Sequence, residues 1–452
     1  MEPLRIPLKL IMQPGFQQYD CTGCGECCRG RFAIVINQDD RDRIVEQKWS
    51  EEELDLAGKP LFTPHGDGFQ LAHRADSSCV FLQDDGRCRI HAVHGEAAKP
   101  LACRMFPFQF VPLGNQIRVD VRFNCEATSG NLGRPITEHR ADLLELLKTA
   151  VPAERAANMP VPPLHGSVQL TWDQLSRITK TFERVLLDVS LNITVRIAAC
   201  VDLVELIREA PPEAFVGKAL SEYLDEAASV VTEDAINSPL VADPHVGARH
   251  GEPPATHASP ALPPSDQRAR GGKVAPSGTH LAAFRQVLAI YGCVDKVGAK
   301  ARLWNRLGLQ LRMLAGKGQV PTLQEGFPNV RFADIENARG IPSGEAALTL
   351  ERYLHVHLMS MGFFGQSFYN RGYLDGLRSL LFTYPLICWF ARAYAAAEGM
   401  SEINRSCVER ALMIVDHQHG IASALDSPTE RYRTNFLCER ATLRSLIIWY
   451  GS

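Results

Sequence analysis

Four cysteines within eight residues, Cys21-Thr-Gly-Cys24-Gly-Glu-Cys27-Cys28, constrain this chain more than any other feature. Of its 13 cysteines, eight precede residue 126: those four with Cys79, Cys88, Cys103 and Cys125. A C-x2-C turn lets two thiolates converge on one metal ion, and Gly23 and Gly25 permit the tight backbone this needs. A C-x2-C-x2-C run also presents three corners of a [4Fe–4S] cluster in iron–sulfur proteins. Here the fourth cysteine follows at once, without the three-residue spacer or the proline of that pattern.

Eight thiolates suit two four-ligand sites, or one such site with further thiols around it, and the metal is zinc or iron–sulfur. Adjacent Cys27 and Cys28 are expected to project in different directions. Cys21, Cys24 and Cys27 would then wrap one centre, while Cys28 turns towards Cys79, Cys88, Cys103 or Cys125. Three alternatives stand beside a metal, the first being buried structural thiols, which would not cluster as four in eight residues. A disulfide framework needs an oxidising compartment, and Glu2, Pro3, Arg5, Pro7 and Lys9 interrupt any secretory signal. A redox-active thiol pair is the third. The five later cysteines (Cys200, Cys293, Cys388, Cys407, Cys438) lie singly beside apolar residues, as small buried hydrophobes do.

A chain of 452 residues suggests two or three units. A formal charge of −3 gives no electrostatic case for nucleic acid. The longest uncharged apolar stretch, Ser379 to Ala391, is short of the ~20 residues that span a bilayer and reads as a buried core helix. A cytoplasmic protein without a membrane span is the expectation.

The fold class expected is α+β: a small, loop-rich, metal-stapled N-terminal domain followed by mostly helical regions. Residues 1–135 form the cysteine-cluster domain, with strands at Phe32–Ile36, Phe69–Ala72, Cys79–Leu82 and Ile117–Phe123. Asp84-Asp85-Gly86 has the chemistry of a tight turn, and Arg41 to Leu56 reads as a helix capped by Asp39 or Asp40. Residues 136–237 read as helical. Thr171 and Gln174 make a capping-box pattern there, followed by Leu175, Ile178, Phe182, Val185 and Val189 at helical spacing. Residues 238–279 are rich in proline and glycine and read as a disordered linker or insertion. Residues 280–452 are helical again: Leu281–Leu314 in one long or broken helix, a Gly/Pro-rich loop to Ser343, then Glu345–Met361, Tyr373–Glu398 with Pro385 inside it, Ser401–His419 and Thr434–Tyr450.

Cys21-x2-Cys24-Gly25-x-Cys27-Cys28 resembles the signature of the CxxCxxCC cysteine-cluster family, whose domain is described as zinc- or iron-chelating. Cys79, Gly86-Arg-Cys88-Arg-Ile-His91 and Pro100-Leu-Ala-Cys103-Arg104-Met-Phe106-Pro107-Phe108 are similar to its later motifs. Family members typically carry arginine before that first proline and often tyrosine at the His91 position. Lys99 keeps the charge but loses a bidentate fork. The resemblance spans residues 18–126 and implies zinc or an iron–sulfur cluster as cofactor. The family includes flagellin lysine-N-methylase, which implies S-adenosylmethionine as a further cofactor and a protein partner such as flagellin if the chain is an enzyme. The rival class is a structural zinc module that presents a helical interaction surface without catalysis.

Other residues are weaker signals. His91 and His94 follow Cys88 closely enough to ligate or to hydrogen-bond a sulfur. Arg104 would stabilise thiolates or pair with Asp84, Asp85 or Glu126. His355 and His357 are two apart and face different sides of a helix, as do His417 and His419. The run Phe363, Phe364, Phe368, Tyr369, Tyr373 reads as core. There is no glycine-rich nucleotide loop, and Arg31 stands where a third cysteine would complete the C-x3-C-x2-C loop of enzymes that cleave S-adenosylmethionine by radical chemistry.

Overall fold

A computed structural model describes residues 8–9, 16–29, 33–56, 58–114, 116–151, 159–237, 275–293, 303–338 and 340–452. Apart from residues 275–279, the insertion expected at 238–279 lies outside the described residues. The architecture is α+β, with small sheets and loops first and helices after.

The N-terminal part runs β1 (Leu8–Lys9), β2 (Gln18–Tyr19), β3 (Val35–Ile36), α1 (Gln38–Glu46), α2 (Glu51–Leu54), β4 (Phe62–His65), β5 (Gly68–Leu71), α3 (Arg89–His94), α4 (Leu101–Met105), β6 (Phe108–Leu113), β7 (Gln116–Val121), α5 (Glu126–Ser129) and β8 (Arg134–Pro135). Strands β3, β5 and β4 form one antiparallel sheet in that order. In a second sheet β7 pairs antiparallel with β6 and parallel with β1; β2 and β8 form a separate antiparallel pair.

The helix expected over Arg41–Leu56 is two helices. Asn37, not Asp39 or Asp40, caps the first, its side chain accepting from the Asp40 N–H at 2.8 Å. Lys48 then takes a left-handed backbone, φ 55°, and Ser50 opens a new capping box with Glu53. The Cys79–Leu82 strand is replaced by turns held at isolated bridges, His73 to Cys79 and Leu82 to Cys88.

The helical body comprises α6 (Arg140–Ala150), α7 (Trp172–Leu186), α8 (Ile193–Glu209), α9 (Ala219–Ile236), α10 (Gly278–Gly292), α11 (Leu303–Ala315), α12 (Phe332–Asn337), α13 (Gly344–Ser360), α14 (Tyr373–Ala397), α15 (Arg405–Gln418), α16 (Pro428–Leu437) and α17 (Arg440–Tyr450). Thr171 and Gln174 form the expected capping box, and Leu175, Ile178, Phe182 and Val185 are buried. Val189 is not on that face: α7 ends at Leu186 and Val189 is 88% exposed. The Leu281–Leu314 stretch is broken into α10 and α11, Thr434–Tyr450 is divided between α16 and α17, and α12 lies in a segment that reads as loop. Helix α14 carries Pro385 without a break and is the one helix among the described residues long and apolar enough to cross a bilayer. Its apolar window is 89% buried inside the fold, as a core helix is.

Buried apolar side chains fall into two clusters. The smaller gathers Ile34, Ile36, Ile44, Leu54, Leu71, Val80, Phe81 and Ile90 around the first sheet. The larger joins the helices to the β6–β7 hairpin through Phe108, Val111, Ile117, Val119 and Val121. The hairpin thus continues the cysteine segment in sequence yet packs into the helical core.

Candidate metal centre

Two loops bring the thiols together. The first, residues 20–28, is anchored at its start by the Asp20 N–H on the Leu132 carbonyl at 2.9 Å. At its end Gly25, φ 75°, lets the chain fold into a 3-10 turn over Glu26–Cys28, closed by the Cys28 N–H on the Gly25 carbonyl at 2.8 Å. The second is the Asp84-Asp85-Gly86 turn, closed by the Gly86 N–H on the Gln83 carbonyl at 3.0 Å. The loops touch backbone to backbone. A Cβ on Gly86, φ 84°, would stand 2.6 Å from the Gly23 carbonyl oxygen, and one on Gly25 would stand 2.9 Å from that of Gly86.

The remaining cysteines arrive from separate elements. The Cys79 N–H donates to the Cys28 carbonyl at 2.7 Å. Cys88 and Cys125 are the residues before α3 and α5, and Cys103 lies on α4. Helix α4 is held to α1 by Asp40, whose buried carboxylate accepts the Leu101 N–H at 3.1 Å and pairs with Arg43 at 2.9 Å.

Six thiol residues, Cys21, Cys27, Cys28, Cys79, Cys88 and Cys103, line one cavity of about 800 Å³. The sulfurs of Cys27 and Cys28 lie 3.9 Å apart, so the expected divergence of these neighbours does not occur. Cys24 and Cys125 are outside this lining. Cys24 is turned towards the Thr22 hydroxyl and the Glu126 carboxyl. Cys125 precedes Glu126, so these two thiols lie on the α5 side of the loop.

Cys27, Cys28, Cys103 and Cys125 are held towards the neutral thiol by their surroundings. The hydrogen bond with Cys28, then burial, pushes the Cys27 thiol far up. The same bond lowers Cys28, but its contact with Cys79 and its burial outweigh that and raise it. Burial pushes Cys103 up to about 12 and Cys125 up to about 11. Lys99, on the cavity wall, opposes the rise at both Cys27 and Cys103. The lysine noted in the sequence only as a departure from the family pattern is therefore the ammonium that faces the thiols.

Among the described residues no three His, Cys, Asp or Glu side chains already stand as a preformed metal-ligand group. The donor set nevertheless fits a thiophilic metal. Six cysteines line one cavity, and a metal cation bound among them favours thiolate over thiol. The backbone contact at Gly25 and Gly86 fixes the two loops on which three of the sulfurs ride.

His91 lines the cavity, whereas His94 packs edge-to-face on Trp49 with ring centroids 5.4 Å apart. Arg104 makes none of the ion pairs expected for it among the described residues. The other histidines serve the fold. His355 Nε2 meets Glu183 at 2.6 Å, His417 meets Asn124 at 3.4 Å, and His419 meets Tyr291 at 2.9 Å. Arg118, Asp120 and Arg122 are the charged positions that alternate with apolar ones along Ile117–Phe123, yet each is under a tenth exposed, because α13 and α15 cover that side as well.

No curated protein and no solved structure matches the chain. Residues 20–127 match the model of the CxxCxxCC family, described as a "putative zinc- or iron-chelating domain".

Proposed function

We propose that the cysteine segment holds a sulfur-ligated metal centre with one open side, an iron–sulfur cluster in preference to a closed structural zinc. The observation that carries this reading is the six cysteines on the wall of a single open cavity of about 800 Å³. A structural zinc takes four ligands in a closed tetrahedron and leaves no position free. A cluster uses thiolates alone and tolerates an exposed face. Lys99 would offset part of the negative charge that thiolate ligands bring to it.

The test is anaerobic purification of the full chain, followed by iron, sulfide and zinc analysis and a visible spectrum. Brown protein with absorption in the sulfur-to-iron charge-transfer region, and iron and sulfide in equal amounts, is the expected result. Colourless protein with stoichiometric zinc would replace this reading with the structural module.

The enzymatic extension is methyl transfer from S-adenosylmethionine to a protein lysine, with flagellin as the type of partner. In its favour are Ile34, Leu71, Phe81 and Ile90, apolar walls of the same cavity suited to the methylenes of a lysine chain. Incubation with methyl-labelled donor and flagellin tests it; no label in protein would reject the extension and leave the metal reading standing.

A further inference from the structure

Outside the cysteine segment, the ends of α8, α14 and α16 and the loop before α14 enclose a cleft of about 380 Å³ into which three arginines converge: Arg208, Arg371 and Arg378. Two of them are already paired. Arg208 meets Glu205 at 2.5 Å, and Arg378 binds the other oxygen of that carboxylate. Arg371 is different. Its stem is packed away, 8% of the residue being exposed, while its guanidinium opens onto the cleft and among the described residues makes no hydrogen bond or ion pair; it lies 5.8 Å from the ring of Phe368. The carboxylates nearest the cleft, Asp375 and Glu439, are on its exposed rim and outside ion-pair distance of Arg371.

A guanidinium does not shed its proton in a protein, so burial cannot neutralise it as it would a lysine or histidine. A guanidinium that opens onto a cleft without a protein partner keeps its charge and all its donors available to an anion. The planar fork of an arginine matches the oxygens of a phosphoryl group two at a time. The Asn435 amide and the Tyr432 hydroxyl on the same cleft can donate to a third oxygen.

We propose that this cleft binds a phosphoryl group, with Arg371 as its principal ligand and Arg378 and Asn435 beside it. The group is either free inorganic phosphate or the phosphate of a small organic monoester. The site is independent of the metal reading, because none of its residues lies on the cysteine segment.

A ligand that binds only the folded state raises the melting temperature with its concentration. The full chain is therefore melted against increasing inorganic phosphate, and separately glycerol phosphate, with chloride at matched ionic strength as the control. The expected result is a saturable rise with at least one phosphate and none with chloride. Calorimetric titration should give about one site per chain, and the tighter of the two compounds identifies the source.

Arg371→Gln should abolish the effect. Should that buried change impair folding, Asn435→Asp at an exposed position places a carboxylate in the cleft and should abolish it too. A rise that is equal in wild type and Asn435→Asp, or no phosphate-specific rise at all, would overturn the proposal. The second result is also what a carboxylate of this chain seated on Arg371 would give.

Discussion

Nδ1 of His357 lies 3.0 Å from Oδ2 of Asp120, fastening helix α13 to strand β7 of the hairpin that leads into Cys125. On its other side His357 Nε2 is 3.1 Å from Asp416, whose second oxygen meets Arg122 at 3.0 Å and accepts the Asn124 N–H at 3.0 Å. Four buried charges thus join β7, α13 and α15 directly behind the cysteine segment. Charges so deep persist because each is paired with one of opposite sign.

The first prediction concerns pH. Burial by itself would lower the His357 pKa, but the carboxylates of Asp120 and Asp416 outweigh it and hold it up at about 9. An unfolded histidine titrates near 6.5. The stabilisation from the imidazolium is therefore complete below about 6.5 and is lost as pH rises through about 9. His419 behaves in the opposite sense: burial, then the charge on His357, holds it down to about 3, so it costs stability as pH falls below about 6.5. The melting temperature should be highest near neutral pH and fall on both sides. His357→Gln should flatten the alkaline limb, and a wild-type profile level from pH 6.5 to 9 would contradict this account.

Asp416→Asn probes the same network. The substitution keeps the shape but strips Arg122 and His357 of their shared anion, and breaking a buried pair in this way costs about 3–5 kcal/mol. Urea unfolding would measure it. A loss below about 1 kcal/mol, the level of an exposed pair, would mean that water or another group replaces the carboxylate.

The contact between the two thiol loops gives a third prediction. An alanine at position 86 meets two penalties, a left-handed backbone and the carbonyl of Gly23 at 2.6 Å. Gly166, φ 49°, has the same backbone region but open space around its Cβ, so it isolates the first penalty. The left-handed conformation alone costs about 1–2 kcal/mol. Gly86→Ala should therefore destabilise more than Gly166→Ala, and it alone should lower metal content, as measured on purified protein by elemental analysis.

Serine variants at the thirteen cysteines test the division of labour. Replacing a true ligand exchanges a soft thiolate for a hydroxyl that hardly ionises. Cys27→Ser, Cys28→Ser and Cys79→Ser should lose metal. Cys200→Ser and Cys388→Ser, whose thiols sit in apolar surroundings that push them up to about 12, should keep it while melting lower. Cys24→Ser and Cys125→Ser should resemble each other, since both lie on the α5 side. Full metal in all of the N-terminal variants would dismiss the centre altogether.

The chain's local grammar is legible without a structure. Thr171 and Gln174 announce α7, Asp84-Asp85-Gly86 announces its turn, and the spacing of Cys21 to Cys28 announces thiol chemistry, because each depends on neighbours a few residues away. The sequence does not reveal which thiols share a cavity: Cys27 and Cys28 line it together with residues 79, 88 and 103, which arrive from separate elements. Nor does it reveal that Arg118, Asp120 and Arg122 are buried. An alternating strand reads as half exposed, and partners 241 and 237 residues along the chain, Met359 for Arg118 and His357 for Asp120, bring cover to its charged side. Residue types and local spacing determine the chemistry a segment can offer. Desolvation decides how that chemistry behaves, and desolvation is a property of what packs against the segment from far away in sequence.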